Sequence, residues 1–471
     1  MADPTHVEHI RTGTWNAWRA AHPEITPDLQ GADLRGLQLR GLNLERAVLR
    51  RANLEQADLS QANLTGADLH GVHIQGARLA DAILDHVDLS FAQWQDVDLT
   101  GASLRHADLR NGEFQGCRFD HVDFAHARLD GAAFTACTFR YARFFQAQLN
   151  RIRLIDADCT GASLENVHFL EVHADRSIWR ESEWQHVQAA RSHLQRANFF
   201  RARWQHVQLT NALLTTANLR FVYGKQCNLE NVVLDSADLT ESRWLESVFR
   251  KVSAQSVHVA QSQWVRVTFA QSSWPGVDFH TARFAQCIWK GARLERCQFT
   301  GLDLSGCDFT QADGGAADFS DANLTGADFS HAYLVRARFR RACLERARLV
   351  GAEAREADFG RARMGLADLR EGRFDRADFR FAQLVGADFR KARLTLANFQ
   401  YADLTHARVH PAWWWGTDLR RARARGLFWW RGLFLVGRGW FVLQRKWGAY
   451  RSRQEARRRR EVEMLLRKRR S

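Results

Sequence analysis

Ala52-Asn53-Leu54-Glu55-Gln56, Ala57-Asp58-Leu59-Ser60-Gln61, Ala62-Asn63-Leu64-Thr65-Gly66: three consecutive units of five residues share one pattern. A small residue comes first and a leucine third. Working outward, a large apolar residue is expected at every number ending in 4 or 9, from Leu34 to Val409, with no insertion. Of these 76 positions only Cys159, Ala174, Ala189, Gly224, Ala254, Gly314 and Ala354 are small. A period of five fits neither a helix, at about 3.6 residues per turn, nor a strand, at about two. It marks an internal repeat, and such a repeat decides the architecture before any local propensity does.

The units resemble the pentapeptide-repeat family, whose consensus A(D/N)LXX describes most of residues 31–410. The resemblance implies an all-β solenoid, a right-handed quadrilateral parallel β-helix. Four units make one square coil of twenty residues. The central Leu or Phe and the small residue before it point inward, and the other three positions point out. The physics agrees, because one coil cannot bury its apolar residues alone and stacked coils share a continuous core. The 76 units give about 19 coils. At an inter-strand spacing of about 4.8 Å the rod is roughly 90 Å long. Four long flat faces and little cleft are expected.

An inserted domain would shift the five-residue phase, and none does. The expected organisation is therefore a capping helix and lead-in (1–30), the repeat β-helix (31–410) and a Trp/Arg-rich, helical basic tail (411–471). The 67 basic and 53 acidic residues give a net charge of +14. Residues 411–471 hold 18 of the basic and only four of the acidic residues, so 1–410 average to zero and read as a neutral rod. Six of the eight cysteines, Cys117, Cys137, Cys227, Cys287, Cys297 and Cys307, occupy the small inward position. Cys117/Cys137 and Cys287/Cys307 are twenty apart, close enough for a disulfide on distance alone. No signal peptide precedes the repeats, so a reducing, cytoplasmic setting with free thiols is expected.

The interior changes along the axis. Late coils alternate Phe with Leu, as in Phe299, Phe309, Phe319, Phe329 and Phe339, which places Phe on two opposite sides. From about Leu170 to Trp289 the inward positions carry Trp179, Trp184, Trp204, Trp244, Trp264, Trp274 and Trp289, and the small positions become Ser or Val. Ala174 and Ala189 flank Trp179 and Trp184, which conserves volume within that coil. Repacking is one reading of this stretch. The other is a distorted face that a partner recognises, with Gly224 as the kink.

An open coil must be capped, because it exposes apolar surface and unpaired edge groups. Residues 5–22 read as one amphipathic helix with Thr5 as N-cap and Trp15 and Trp18 on its apolar stripe. The string Trp15-Asn16-Ala17-Trp18-Arg19 is similar to the leader of many bacterial pentapeptide-repeat solenoids. At the other end, Trp413, Trp414 and Trp415 are candidates for a cap or a dimer interface. The resemblance supports a dimer, since several family members pair through a C-terminal element.

The stretch Leu427–Leu443 is apolar but contains Arg431 and Arg438 and three Gly. It is shorter than the ~20 apolar residues of a spanning helix. As a helix it places Arg431, Arg438 and Arg445 on one polar stripe beside Trp429, Trp430 and Trp440, the composition of an interfacial helix. Lys446 and Trp447 follow. The basic clusters Arg457, Arg458, Arg459, Arg460 and Arg467, Lys468, Arg469, Arg470 add attraction to anionic lipid. A membrane surface, a cap or dimer contact, and nucleic acid all remain open for this tail, with nucleic acid the weakest.

No catalytic motif is present: no GxSxG, no phosphate-binding Gly loop, no HExxH. No cofactor or metal site is implied. His86, His106, His126, His186 and His206 are spaced in multiples of twenty and should share one outer column. Stacked imidazoles can sense pH, but columns of like polar residues are ordinary on a solenoid. The expected function is a non-enzymatic scaffold whose rod binds a protein partner and whose tail rests on an anionic membrane, peripheral to the inner membrane. Two alternatives stand beside it. Some family members bind DNA gyrase by resembling duplex DNA, which needs an acid excess that a neutral rod lacks. A secretion-associated effector with a membrane-active tail is the other.

Overall fold

The computed structural model describes residues 2–410 and 412–426. It is a parallel β-solenoid preceded by two short helices. Every bridge joins residues twenty apart, from Asp28–Val48 to Asp403–Arg423. The bridges fall into four columns, set by Asp28, Asp33, Gln38 and Asn43, so each turn has four sides. The third and first residues of each unit point inward: Leu54, Leu59, Ala52 and Ala57 are fully buried. The residue before the inward Leu explains the recurrent Asp and Asn. Its side-chain oxygen accepts the backbone N–H two residues on, as Asn53 does from Glu55 at 3.0 Å and Asp58 from Ser60 at 2.9 Å. That bond closes the turn locally. The fifth residue then turns the corner in the left-handed region, as at Arg46 (φ 55) and Gln56 (φ 56), where Gly66 is the less strained choice.

Three expectations need correction. The lead-in is two helices, α1 (Pro4–Arg11) and α2 (Trp15–Ala21), rather than one. Gly13, at φ 74, breaks the run. The N-cap is Asp3, which accepts from the Thr5 N–H at 2.8 Å with Pro4 at the first helical position. The coils also continue past 410. Trp413 bridges Arg393, Asp418 bridges Asn398 and Arg423 bridges Asp403. Trp414 and Leu419 still fill inward positions, and buried Thr417 serves as a small residue whose Oγ1 donates to the Leu394 carbonyl at 2.8 Å. The change of composition at 411 is therefore not the end of the solenoid.

Gly224 is the third correction, because it is no kink. It sits in a regular strand, Tyr223–Lys225, paired with Arg203–Gln205 on one side and Arg243–Leu245 on the other. The gap it leaves in the column is filled from the neighbouring coils, where Trp204 and Trp244 meet with ring centroids 5.8 Å apart. Pairing is interrupted elsewhere, at the steps His73/Gln93, His258/Asp278 and Arg283/Asp303, which carry no bridge. The last two flank one coil, whose interior holds Trp274, Phe279, Phe284 and Trp289.

Four serines of the middle coils have a specific task. Ser182, two residues before Trp184, does not share it, since it donates to the Trp179 carbonyl at 2.8 Å and leaves the Trp184 indole nitrogen without a partner. Trp179, Trp244, Trp264 and Trp274 each donate Nε1–H to the serine two residues earlier, at 2.7–3.0 Å. Ser177, Ser262 and Ser272 pass the bond on to a backbone carbonyl. Buried Trp204, with Ala202 two residues before it, has no partner for its indole nitrogen. Ser262→Ala should therefore destabilise by about 1–3 kcal/mol, the cost of an orphaned buried donor. Ala202→Ser should stabilise by about 1 kcal/mol, since it supplies Trp204 with an acceptor. Thermal unfolding of both variants checks the pair. Shifts of the same sign would refute the relay.

Candidate functional site

At the N-terminal end, α1 and α2 lie over the first coil. Trp15 is fully buried and donates Nε1–H to the Asn43 carbonyl at 2.7 Å. Trp18 is half-buried against it, with ring centroids 5.2 Å apart. The Asn16 amide donates to the Gly41 carbonyl at 3.0 Å and accepts the Asn43 N–H at 2.8 Å. It thus supplies the bonds that a preceding coil would make. Asp3 N–H reaches the Asp28 carbonyl at 3.0 Å.

The walls between the ends hold ladders. The His86, His106 and His126 rings stack at 4.8 and 4.7 Å with planes within 1° and 8°, and His186 and His206 stack at 4.6 Å. Parallel rings aim their nitrogens alongside one another and do not converge on a point. Among the described residues no group of three or more His, Cys, Asp or Glu is placed to hold a metal. The described cysteines are free thiols, and burial pushes Cys287 and Cys297 up to about 12. The walls carry shallow depressions. One of about 470 Å³ lies over the His73/Gln93 gap, and one of about 490 Å³ is lined by Gln148, His168, Gln188 and Gln208.

Burial holds His106 below its ordinary pKa of 6.5, and the neighbouring His126 and His86 add to the effect. A depressed folded-state pKa means that acidification through and below 6.5 disfavours these coils. Replacing His86 and His126 together by Gln should move the His106 titration midpoint up but leave it short of 6.5, since burial remains. NMR titration of the imidazole Cε1–H reads this. An unmoved midpoint would remove the coupling from the argument.

The C-terminal end differs from the rest. Trp414 turns inward and packs against Phe399 at 5.6 Å. Trp413 and Trp415, expected to close the rod or pair it with a second copy, face outward at 72% and 69% exposure. They do not cap it, because the alternation of the strand gives the inward place to Trp414 alone. Nearby, Arg361, Phe381, Tyr401 and Arg421 form one column. Phe381 and Tyr401 stack at 4.8 Å, and the two guanidinium groups lie 5.6 and 5.4 Å from the ring centroids. Arg421 also donates to the Tyr401 hydroxyl at 2.6 Å. This ladder is written in the sequence only at a spacing of twenty, and reading unit by unit misses it.

The neutral average of the rod also needs refinement. Residues 332–426 carry 21 basic and 11 acidic residues, a net of +10, and residues 1–331 a net of −7. The excess positive charge begins within the coils. The tail residues singled out from the sequence, Trp429, Trp430, Arg431, Arg438, Trp440, Arg445, Lys446, Trp447, Arg457–Arg460 and Arg467–Arg470, lie outside the described residues. Among the described residues no helix is long and apolar enough to cross a membrane.

A parallel solenoid with five-residue sides and a small-x-Leu/Phe interior defines a repeat protein of one kind. Models described as pentapeptide repeats (8 copies) match residues 28–66, 62–101, 192–223, 278–313, 317–353, 332–370 and 373–410, and a pentapeptide repeat region matches 87–161. The chain belongs to the pentapeptide repeat family. Residues 162–191 and 224–277, which hold five of the buried Trp (Trp179, Trp184, Trp244, Trp264 and Trp274), fall between the matches. Comparison with curated proteins gives no match. Among solved structures the chain is similar to Rfr23, a pentapeptide repeat protein of the cyanobacterium Cyanothece 51142, at 23% identity and a TM-score of 0.15. That likeness covers 25% of this chain and 63% of Rfr23, less than two thirds of its length. It is similar to full-length QnrB1, a plasmid-mediated fluoroquinolone resistance protein, at 18% identity and a TM-score of 0.15, covering 54% of this chain and 89% of that one. It is also similar to HetL, involved in heterocyst differentiation regulation in Nostoc sp. strain PCC 7120. There the identity is 19% and the TM-score 0.10, over 73% of this chain and 91% of that one.

Proposed function

We propose that the protein is a non-enzymatic interaction scaffold. A rod of about nineteen coils offers flat walls to a protein partner. The basic, Trp-rich C-terminal segment holds the rod on an anionic membrane surface at the inner face of a bacterial membrane. The observation that carries this reading is the axial charge split, −7 over residues 1–331 against +10 over 332–426 and further basic runs beyond. A rod charged in that way is drawn to a negative surface by one end. Gyrase binding through DNA mimicry receives less support. Some acids of the N-terminal body are paired across coils, as Asp156 is with Arg176 at 2.6 Å and Glu171 with Arg191 at 2.7 Å, and the excess that remains is only seven charges over residues 1–331.

Co-sedimentation with phosphatidylglycerol vesicles tests the membrane reading. The full chain is compared with a chain ending at residue 426, which keeps the last coil on Phe399 intact. The full chain should partition more strongly, and the difference should shrink as salt rises. Equal partitioning of the two chains sinks the role of the tail.

A further inference from the structure

The last described coil, residues 412–426, presents an outward rim unlike those before it. Its outward side chains are Trp413, Trp415, Asp418, Arg420, Arg421, Arg423 and Arg425. In the coils above, arginines find carboxylates: Arg370 lies 2.7 Å from Asp368, and Arg390 2.7 Å from Asp388. In the last coil the single acid, Asp418, is taken by Arg420 at 2.7 Å. Arg421 leans on Tyr401. Arg423 and Arg425 are exposed on the adjoining side, where Asp403 of the coil above lies next to Arg423 and Thr405 stands above Arg425.

The two exposed indoles do not continue up their wall. Above Trp413 stand Arg393 and Arg373, which pair with Asp375 and Glu353. Above Trp415 stand Thr395 and Asp375. The two indoles therefore stand at the end of the described coils only, beside Arg423 and Arg425, whereas Arg421 closes a separate column that runs up the wall through Tyr401, Phe381 and Arg361. A column along a side would serve a partner lying parallel to the axis. A rim around the end serves a surface perpendicular to it.

The chemistry of the rim selects that surface. Indole rings settle at the level of lipid headgroups, and guanidinium groups beside them meet the phosphates. A second copy of the chain would bring an equally basic end, +10 against +10 over residues 332–426, and the two would repel. We propose that the rim of the last coil is itself a lipid-contacting site and that the rod stands end-on against an anionic membrane, with α1 and α2 pointing away. This rests on the membrane reading above but assigns the contact to Trp413, Trp415, Arg423 and Arg425, within the coils. The body of the rod, net −7, is kept off the surface by the same field that draws in its end.

The test uses the full chain, Trp413→Ala/Trp415→Ala and Arg423→Gln/Arg425→Gln. All these side chains are exposed, so unchanged thermal unfolding is expected and is checked first. Binding is measured to vesicles of phosphatidylglycerol and phosphatidylcholine, and layer thickness on a supported bilayer of the same lipids by neutron reflectometry. Arg423→Gln/Arg425→Gln should lower partitioning about 25-fold, from roughly fivefold per surface cation, and Trp413→Ala/Trp415→Ala should lower it as well, by loss of the two headgroup-level indoles. The bound layer should be roughly 90 Å or more thick, the length of the rod. If the full chain binds and both variants bind as well as it does, the tail still anchors the protein and the rim contact is overturned. A thin layer means side-on binding and also overturns it. If the Trp variant loses self-association in sedimentation velocity while keeping its vesicle binding, the rim is a contact between copies and the proposal falls. If the full chain ignores the vesicles, this inference and the membrane reading fall together.

Discussion

Gly224→Leu, a change toward the consensus of the repeat, is expected to destabilise the middle of the rod by about 3 kcal/mol. Leu occupies this place in most other coils of the same column, among them Leu164, Leu304 and Leu324. At residue 224 the column reads Trp184, Trp204, Gly224, Trp244, Trp264, and the indoles on either side have already taken the space. A Cβ on Gly224 would lie 2.2 Å from Trp244 Cε3 and 2.3 Å from its Cζ3. These are rigid ring atoms held on the far side by stacking on Trp264, with centroids 6.1 Å apart. The backbone is ordinary strand, so the penalty is steric and not conformational. Gly224→Leu/Trp244→Leu should therefore recover much of the loss, with a coupling energy of about 1–3 kcal/mol. A solenoid need not unfold as one unit. Hydrogen exchange at the amides of Tyr223–Lys225 and Arg243–Leu245 is thus the measurement to make, beside the global melt. Independent, additive effects of the two substitutions would refute the shared volume.

The same residue shows how far the sequence carries. A period of five held over 76 positions dictates stacked coils, because no other arrangement buries every beat. The inward pair, the Phe columns and the His ladder follow once residues twenty apart are placed together. What was not legible is vertical compensation. Ala174 and Ala189 beside Trp179 and Trp184 invite a balance of volume within one coil. Gly224 is balanced by Trp204 and Trp244 in the coils above and below, at a sequence distance of twenty. The Ser-x-Trp relay was legible in principle, since a buried indole needs an acceptor and Ser177, Ser242, Ser262 and Ser272 each stand two residues before one. The continuation of the coils to 426 was not, because Trp413-Trp414-Trp415 looks like a break in composition. Strand alternation nevertheless assigns the three indoles to outside, inside and outside.

The charge split was hidden by averaging. Summed over 410 residues the rod is neutral, yet Asp and Glu dominate before Ala332 and Arg after it. Single exposed ion pairs contribute little to stability. The arginines of the late coils, paired or not, add little that the buried Phe columns do not already provide. Their sum over one end of a long rod acts as a field, and the proposed membrane contact rests on that sum and not on any single pair.

Trp15→Ala should cost about 3–5 kcal/mol, the largest loss expected at the N-terminal end. Each coil normally donates one set of hydrogen bonds to the coil before it, as Asn53 N–H does to the Ala32 carbonyl at 2.9 Å. The first coil has no predecessor, and Asn16 and Trp15 take that part through Gly41 and Asn43. Truncating Trp15 empties a fully buried site and orphans the Asn43 carbonyl, and it releases Trp18 and His6, which pack on the indole. Asn16→Leu removes only the amide bonds and should cost less, about 1–3 kcal/mol. Because coils couple mainly to their neighbours, the damage should stay local. Amides from Leu34 to Leu49 should lose protection from hydrogen exchange, while those beyond Leu79 keep it. The uncovered end would then present an unpaired strand edge, so Trp15→Ala should also associate with itself at concentrations where the parent chain does not. If Trp15→Ala leaves the exchange of Leu34–Leu49 unchanged, the first coil is held by its own core, and α1 and α2 are free to serve a partner instead.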